Sequence, residues 1–490
     1  MSNLFVSKKN EAFIQVSTDD AVAQELSEYF AFFVPGHEYQ PLFKSGMWDG
    51  RIRLFDRRYA TLPGGLVGYL QKFAADRQYT LSVDDAVLLT TNFSIAEAQA
   101  FAVSLGLPHI PHDYQIEAFA KAIRYRRLLI VSPTASGKSL IMYMMARQLQ
   151  QNHQRGLIIV PTTSLVEQLF TDFQSYGWDS DKYVHRLYEG KDKVIKHFLT
   201  VSTYQTLYLQ HKKNPEYLSQ FDFVIGDEAH QFKAKTLSAV MAALKNADVR
   251  IGTTGTLDGT KTHKLVLEGH FGPEFAATTT KELMDSGKLA SLKIKCLVLK
   301  YPEAVCQSLR KSSYQEEYDA VVHYQPRAKF VRNLALSLEG NTLILFQLVK
   351  KHGKPLFESI RDGAAEGRKV FFVHGDTETL VREEIRGITE ESENAIIVAS
   401  YGTFSTGINI KKLHNVIFAA PSKSRIRNLQ SIGRGLRNAD GKTCATLFDI
   451  VDDLRIGKRE NFLLKHFIHR ASIYNSEKLP FKQYLIDLKS

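Results

Sequence analysis

The nine residues SPTASGKSL, 132–140, have the composition of a phosphate cradle. Small side chains let the backbone curl, so that successive N–H groups and the N-terminus of the following helix face a polyanion. Pro133, Thr134, Ala135, Ser136 and Gly137 would form the cradle. Lys138 would reach the outer phosphates, and the Ser139 hydroxyl would ligate Mg²⁺. The pattern departs from its usual form at Ser132, where a glycine is common. Further on, VIGDEAHQF (224–232) runs an apolar strand straight into Asp227 and Glu228, with His230 two residues later. Such a pair suits nucleoside triphosphate hydrolysis, with Asp227 holding Mg²⁺ and Glu228 taking a proton from the attacking water. QSIGRGLR (430–437) adds Arg434 and Arg437, one helical turn apart, as cations for the charge that builds up in the transition state. The bland readings are a chance Gly/Ser turn, a helix-capping Asp-Glu pair and a solvated arginine face. The first motif follows an apolar run and opens a long apolar helix, which is the context a phosphate cradle needs.

Groups of this kind belong beyond the C-terminal ends of parallel strands. The sequence supplies such strands as short continuous apolar runs: LLIVS (128–132), LIIVP (157–161), FVIGD (223–227) and RIGTT (250–254). A second series follows: TLILF (342–346), KVFFV (369–373), AIIVA (395–399), NVIFA (415–419) and ATLFDI (445–450). Runs apolar on both faces, alternating with helix-like stretches, imply two α/β units in tandem, each with a buried parallel sheet. The first hundred residues are aromatic-rich and broken by glycines, and read as a small α+β module. The divisions expected are 1–98, 99–290 and 291–490, and the tail after about residue 455 reads as helical.

At 490 residues the chain exceeds one ordinary core. With 44% hydrophobic and 23% charged residues it has the make-up of a folded, water-soluble protein. No apolar run is long enough to span a bilayer, and the opening MSNLFVSKKNEAF lacks the apolar core of a secretory signal, so a cytoplasmic location is expected. Cys296, Cys306 and Cys444 show no paired spacing, which argues against a zinc site or a disulfide framework. The net charge of +11 is uneven: −3 over 1–108, +4 over 109–290 and +10 over 291–490. A basic C-terminal third suits a polyanionic partner, most simply nucleic acid, or else a solubilising surface.

PTASGKS, PTTSLVEQ (161–168), STYQTL (202–207), DEAH (227–230), TTGT (253–256), TFSTGIN (403–409) and QSIGRGLR occur in the order found in superfamily two helicases. Within them, SGMWDGRIRLFD, LPGGLVGYLQKF and VASYGTFSTGINIKKLHNVIFA resemble the phage UvsW-type recombination helicases, and this likeness runs from the N-terminal module through the second unit. The resemblance implies two RecA-like lobes with ATP as substrate and Mg²⁺ as cofactor. It places Gln115 on the adenine and Gly407 and Asn409 near ATP or the DNA backbone. His230, Thr254, Thr256 and Gln430 would couple hydrolysis to movement, and Thr162, Thr203 and Gln205 would lie on the nucleic-acid track. His112 stands where relatives often have an arginine, which bears on adenine selectivity.

Around Trp48, Arg51 and Arg53, aromatic and basic residues are interleaved, a combination that suits DNA binding by stacking and phosphate contact. The alternation of Arg51 and Arg53 with Ile52 and Leu54 is also what a half-buried strand shows. KSRIR (423–427) fits a phosphate contact or a helix start equally. HFIH (466–469) has two histidines but no third ligand in view. The reading is an ATP-dependent DNA motor that remodels forked and four-way DNA, as a monomer on DNA. The competitors are a restriction-type duplex translocase, an RNA helicase and an ATP-gated DNA-binding module that separates no strands.

Overall fold

The continuous apolar runs become parallel strands, and central ones such as Gly156–Val160, Phe223–Gly226 and Thr342–Phe346 are buried along their whole length. The structure, a computed structural model, describes residues 3–34, 36–88, 90–232, 235–255, 257, 261–403, 410, 412–420 and 444–488. Two compact units are Met1–Ser132 with Gly137–Ala277, and Thr278–Ser490 with Pro133–Ser136.

The first unit holds a seven-stranded, all-parallel sheet in the order Glu274–Ala276, Arg127–Val131, Val249–Thr254, Phe223–Gly226, Gly156–Val160, Leu199–Thr203, Val184–Leu187. The four apolar runs occupy its centre. The helix that opens at Lys138 (Lys138–Gln151) is buried along Leu140–Ala146. It packs in one core with Ile130, Ile158 and Ile225 of the strands.

The N-terminal module adds a four-stranded sheet in the order Thr61–Pro63, Phe13–Ser17, Asn3–Lys8, Thr80–Val83, with a two-stranded ribbon Ala31–Phe33/Arg51–Arg53 beside it. Strand Asn3–Lys8 alternates: Leu4 and Val6 are buried while Phe5 is exposed, so one face meets the core. That core also takes in Leu265, from the helix Lys261–Phe271, which lies outside the module. The two parts are joined further by the Tyr69 hydroxyl donating to Glu268 Oε2 at 2.7 Å. Gly65 sits so close to that helix that a Cβ there would fall 1.9 Å from the Glu268 carbonyl oxygen.

The second unit holds another seven-stranded, all-parallel sheet, in the order Val370–Val373, Ile396–Ser400, Thr342–Phe346, Asn415–Phe418, Cys444–Asp453, Ser291–Lys300, Phe481–Asp487. Two buried ion pairs fasten helices to it. Arg327, on Gln325–Ser337, reaches Asp452 at 2.7 Å, and Arg470, on Phe462–Ser476, reaches Asp449 at 2.8 Å. The tail read as helical is a helix followed by a strand. Phe481–Asp487 extends the sheet as its last member, with Lys482, Gln483, Tyr484 and Leu485 exposed.

Candidate nucleotide site

Residues 132–137 leave the strand Arg127–Val131 and return into the helix Lys138–Gln151. Two backbones there are left-handed, Ala135 at φ 70° and Gly137 at φ 76°. Such φ values turn the chain sharply enough to expose consecutive N–H groups, at a cost for Ala135 that a glycine avoids. Within the loop the Ser136 hydroxyl donates to the Pro133 carbonyl at 2.7 Å. Lys138 Nζ donates to the Ser132 carbonyl at 3.3 Å, so the ammonium is held at the loop. Gln115 lies beside it: a Cβ on Gly137 would sit 2.4 Å from Gln115 Nε2, and Gln115 Oε1 accepts from the His112 amide at 2.8 Å. Ser139 Oγ and the Tyr176 hydroxyl are hydrogen-bonded at 2.9 Å.

Asp227 and Glu228 follow the strand Phe223–Gly226, at the same end of the sheet as this loop. Asp227 is buried. Its Oδ1 accepts from the Thr253 hydroxyl at 2.7 Å and from the Glu228 amide at 2.9 Å. Burial, with the Glu228 carboxylate beside it, pushes the Asp227 carboxyl up to about 6, while Lys138 and the two hydrogen bonds pull the other way. Asp227 is buried and accepts both of these bonds on one oxygen, so the donor set Asp227 and Ser139 fits a hard divalent cation. Glu228 has a left-handed backbone at φ 50°. His230 Nδ1 lies 3.3 Å from Glu228 Oε2 and 3.2 Å from Thr254 Oγ1. The Thr254 carbonyl accepts from the Ser132 amide at 2.9 Å. One run of contacts therefore joins the carboxylates, the two threonines and the phosphate loop. Thr253 was not among the expected site residues; TTGT held the only signal for it. Tyr176 has no sequence signal.

Thr162 lies just past the C-terminal end of the strand Gly156–Val160, and Thr203 is the last residue of its neighbour Leu199–Thr203. Thr162 caps the helix Thr163–Ser175 by accepting from the Leu165 amide at 3.4 Å, and Thr203 pairs with the Thr206 hydroxyl at 3.0 Å. Gln205 is exposed. In the N-terminal module, Arg51 is ion-paired with Glu28 at 2.7 Å and Arg53 with Asp49 at 2.6 Å. Trp48 Nε1 donates to the Arg51 carbonyl at 2.9 Å. Any phosphate reaching these arginines has to compete with carboxylates already there. Thr256, Gly407, Asn409, Gln430, Arg434, Arg437 and the segment 423–427 lie outside the described residues.

Three family models match the chain in order: DNA helicase UvsW, N-terminal, over residues 5–84; Type III restriction enzyme, res subunit, over 109–259; and Helicase conserved C-terminal domain over 327–439. The ATP-dependent DNA helicase uvsW of Enterobacteria phage T4 is 34% identical, the alignment covering 97% of this chain and 98% of that protein. The crystal structure of T4 UvsW matches with a TM-score of 0.53 at 31% identity, over 99% of this chain and 100% of that one. The Type ISP restriction-modification enzyme LlaBIII bound to DNA shares the fold, with a TM-score of 0.58 at 17% identity over 78% of this chain and 32% of that one. With that identity along nearly its whole length and an N-terminal module of the same family, the chain belongs to the UvsW family of helicases.

Proposed function

We propose that this chain is an ATP-dependent DNA helicase that remodels branched DNA, moving forks and four-way junctions in recombination, repair and replication. It acts in the host cytoplasm, as a monomer on DNA. The observation that carries the reading is the run of contacts from Asp227 and Glu228 through Thr253, Thr254 and His230 to the phosphate loop. A change at the γ-phosphate is thereby handed to strand ends that also carry Thr162 and Thr203. The full-length likeness to an ATP-dependent DNA helicase supplies the substrate class.

In this reading the amides of 133–139 orient the phosphates, with Lys138 on the outer ones and Gln115 toward the base. Asp227 and Ser139 hold Mg²⁺, which neutralises phosphate charge when bound. Glu228 accepts the proton of the attacking water, and Arg434 and Arg437 meet the developing charge. Branch migration suits such a motor, because each base pair melted is replaced by one formed and the ~1.4 kcal/mol of a base-pair step is nearly returned.

ATP turnover measured side by side with single-stranded DNA, linear duplex, four-way junction and RNA tests this. The junction should stimulate most and should be resolved into arms. Equal stimulation by RNA would instead make the chain an RNA helicase. A second reading, a duplex translocase, draws on the match of 109–259 to the restriction subunit model. It predicts displacement of a third strand from duplex without any opening of the junction.

A further inference from the structure

A groove of about 340 Å³ opens beyond the C-terminal ends of the strands Ser291–Lys300 and Cys444–Asp453. Its rim carries four exposed cations, Arg310, Lys458, Arg459 and Lys465. Two carboxylates, Glu317 and Glu460, also line it. Glu317 is buried and engaged: its Oε1 accepts from Asn461 Nδ2 and the Leu463 amide, both at 2.8 Å, and its Oε2 from the Phe462 amide at 3.1 Å. It fixes the start of the helix Phe462–Ser476, and with it the position of Lys465 and Phe462. Among the described residues none of the four cations pairs with a carboxylate, whereas the nearby Arg455 is bound to Asp453 at 2.6 Å.

The contrast with the N-terminal module is informative. There Arg51 and Arg53 are matched by Glu28 and Asp49; here four cations share one concavity with two carboxylates, of which Glu317 is already taken up by amide donors. Like charges gathered in this way repel unless a polyanion joins them. Phe462, 42% exposed, lies at the same edge with its ring 6.0 Å from Lys465 Nζ. An exposed ring among cations is the pairing that takes a strand by backbone contact and base stacking, and it favours nucleic acid over an acidic peptide. The groove is also set apart within its sheet. The strand Ile396–Ser400, which leads to the TFSTGIN segment, lies three and four places away in strand order. At ~4.8 Å per strand that is roughly 14–19 Å.

We propose that this groove is a second DNA-backbone site, outside the track of the helicase motifs, which takes one strand of a further arm of a branched substrate. The proposal rests on the reading of the chain as a helicase of branched DNA. A linear strand running along the motif track does not need the groove; a junction, with more arms than the track can hold, does.

The test uses the full chain carrying R310A, K458A, R459A and K465A together, all exposed positions, with a thermal melt to confirm folding. Binding to a four-way junction and to a linear single strand is measured by anisotropy across a salt series. The junction's log–log salt slope should fall by about 2 to 3.6, and its affinity by roughly tenfold or more. Single-strand binding and ATP turnover at saturating single strand should stay within about twofold. A photocrosslinking side chain at position 462 should label a junction arm. An unchanged junction slope overturns the proposal, and so does an equal loss on the linear strand, which would put the groove in the main track. If polyglutamate, but not a junction, binds in a way that the variant loses, an acidic protein is the occupant and the proposal fails. A wild-type chain stimulated by no DNA would sink the helicase reading itself; a stimulated one with an unaltered variant sinks the groove alone.

Discussion

Glu228 turns out of its strand with a left-handed backbone, which for a side chain with a Cβ costs on the order of 1–2 kcal/mol. The strain brings its carboxylate to His230 instead of continuing the strand. Glu228→Gln keeps this shape but cannot accept a proton. The turnover number should fall by roughly 10²–10⁴, with binding of a non-hydrolysable ATP analogue within a few-fold of wild type. Asp227 is the opposite case, a group that folding penalises. Its carboxyl lies at about 6 in the folded chain and near the ordinary carboxylate value when unfolded, so the cost is present above pH 6 and vanishes below about pH 4. Asp227→Asn removes the cost while its amide oxygen still accepts from Thr253 and the Glu228 amide. The nucleotide-free variant should be more stable by about 1–3 kcal/mol at pH 7.5, by denaturant titration, and inactive. A lower midpoint would show that the charge is stabilising. With the Asp227 carboxyl raised, kcat/KM for ATP should fall off in acid at a higher pH than an ordinary carboxylate would give, as a pH profile would show.

The joint between the N-terminal module and the motor lobe is built from Leu265, Glu268 and Gly65. Gly65→Ala would drive a methyl group into a backbone carbonyl, and overpacking of this sort costs about 1–3 kcal/mol. Limited proteolysis should then cut near residues 84–94 faster than in wild type, with ATP turnover less affected. A cutting pattern identical to wild type would mean that the helix yields. The sequence made the central strands readable because Ile158, Ile159 and their neighbours are apolar on both faces. Val184–Leu187 and Leu199–Thr203 escaped because His185, Arg186, Thr200 and Ser202 dilute the run, and Phe481–Asp487 because its exposed face at the sheet edge needs no apolar side chains. At the site, a glycine-rich loop and adjacent carboxylates announce themselves. Thr253 does not, since a hydroxyl inside a strand looks the same whether or not it holds an aspartate.

Across the whole molecule, positive charge rises from the N-terminal module to the last two hundred residues. In the module each arginine of the Arg51–Arg53 strand already has a carboxylate. Arg51→Ala with Arg53→Ala should therefore lower the junction salt slope by much less than the ~1.8 expected of two free phosphate contacts, as anisotropy across a salt series would show. A fall of that full size would mean that phosphate displaces Glu28 and Asp49. The order of strands in the second sheet has a consequence in time. Ser291–Lys300 lies between Cys444–Asp453 and Phe481–Asp487, so both of its partners come from far later in the chain. A ribosome adding 5–20 residues per second leaves that strand unpartnered for roughly 7–30 s. Throughout that wait Leu297, Val298 and Leu299 are open to other nascent chains, so slowed synthesis at low temperature should raise the share of this protein lost to aggregates.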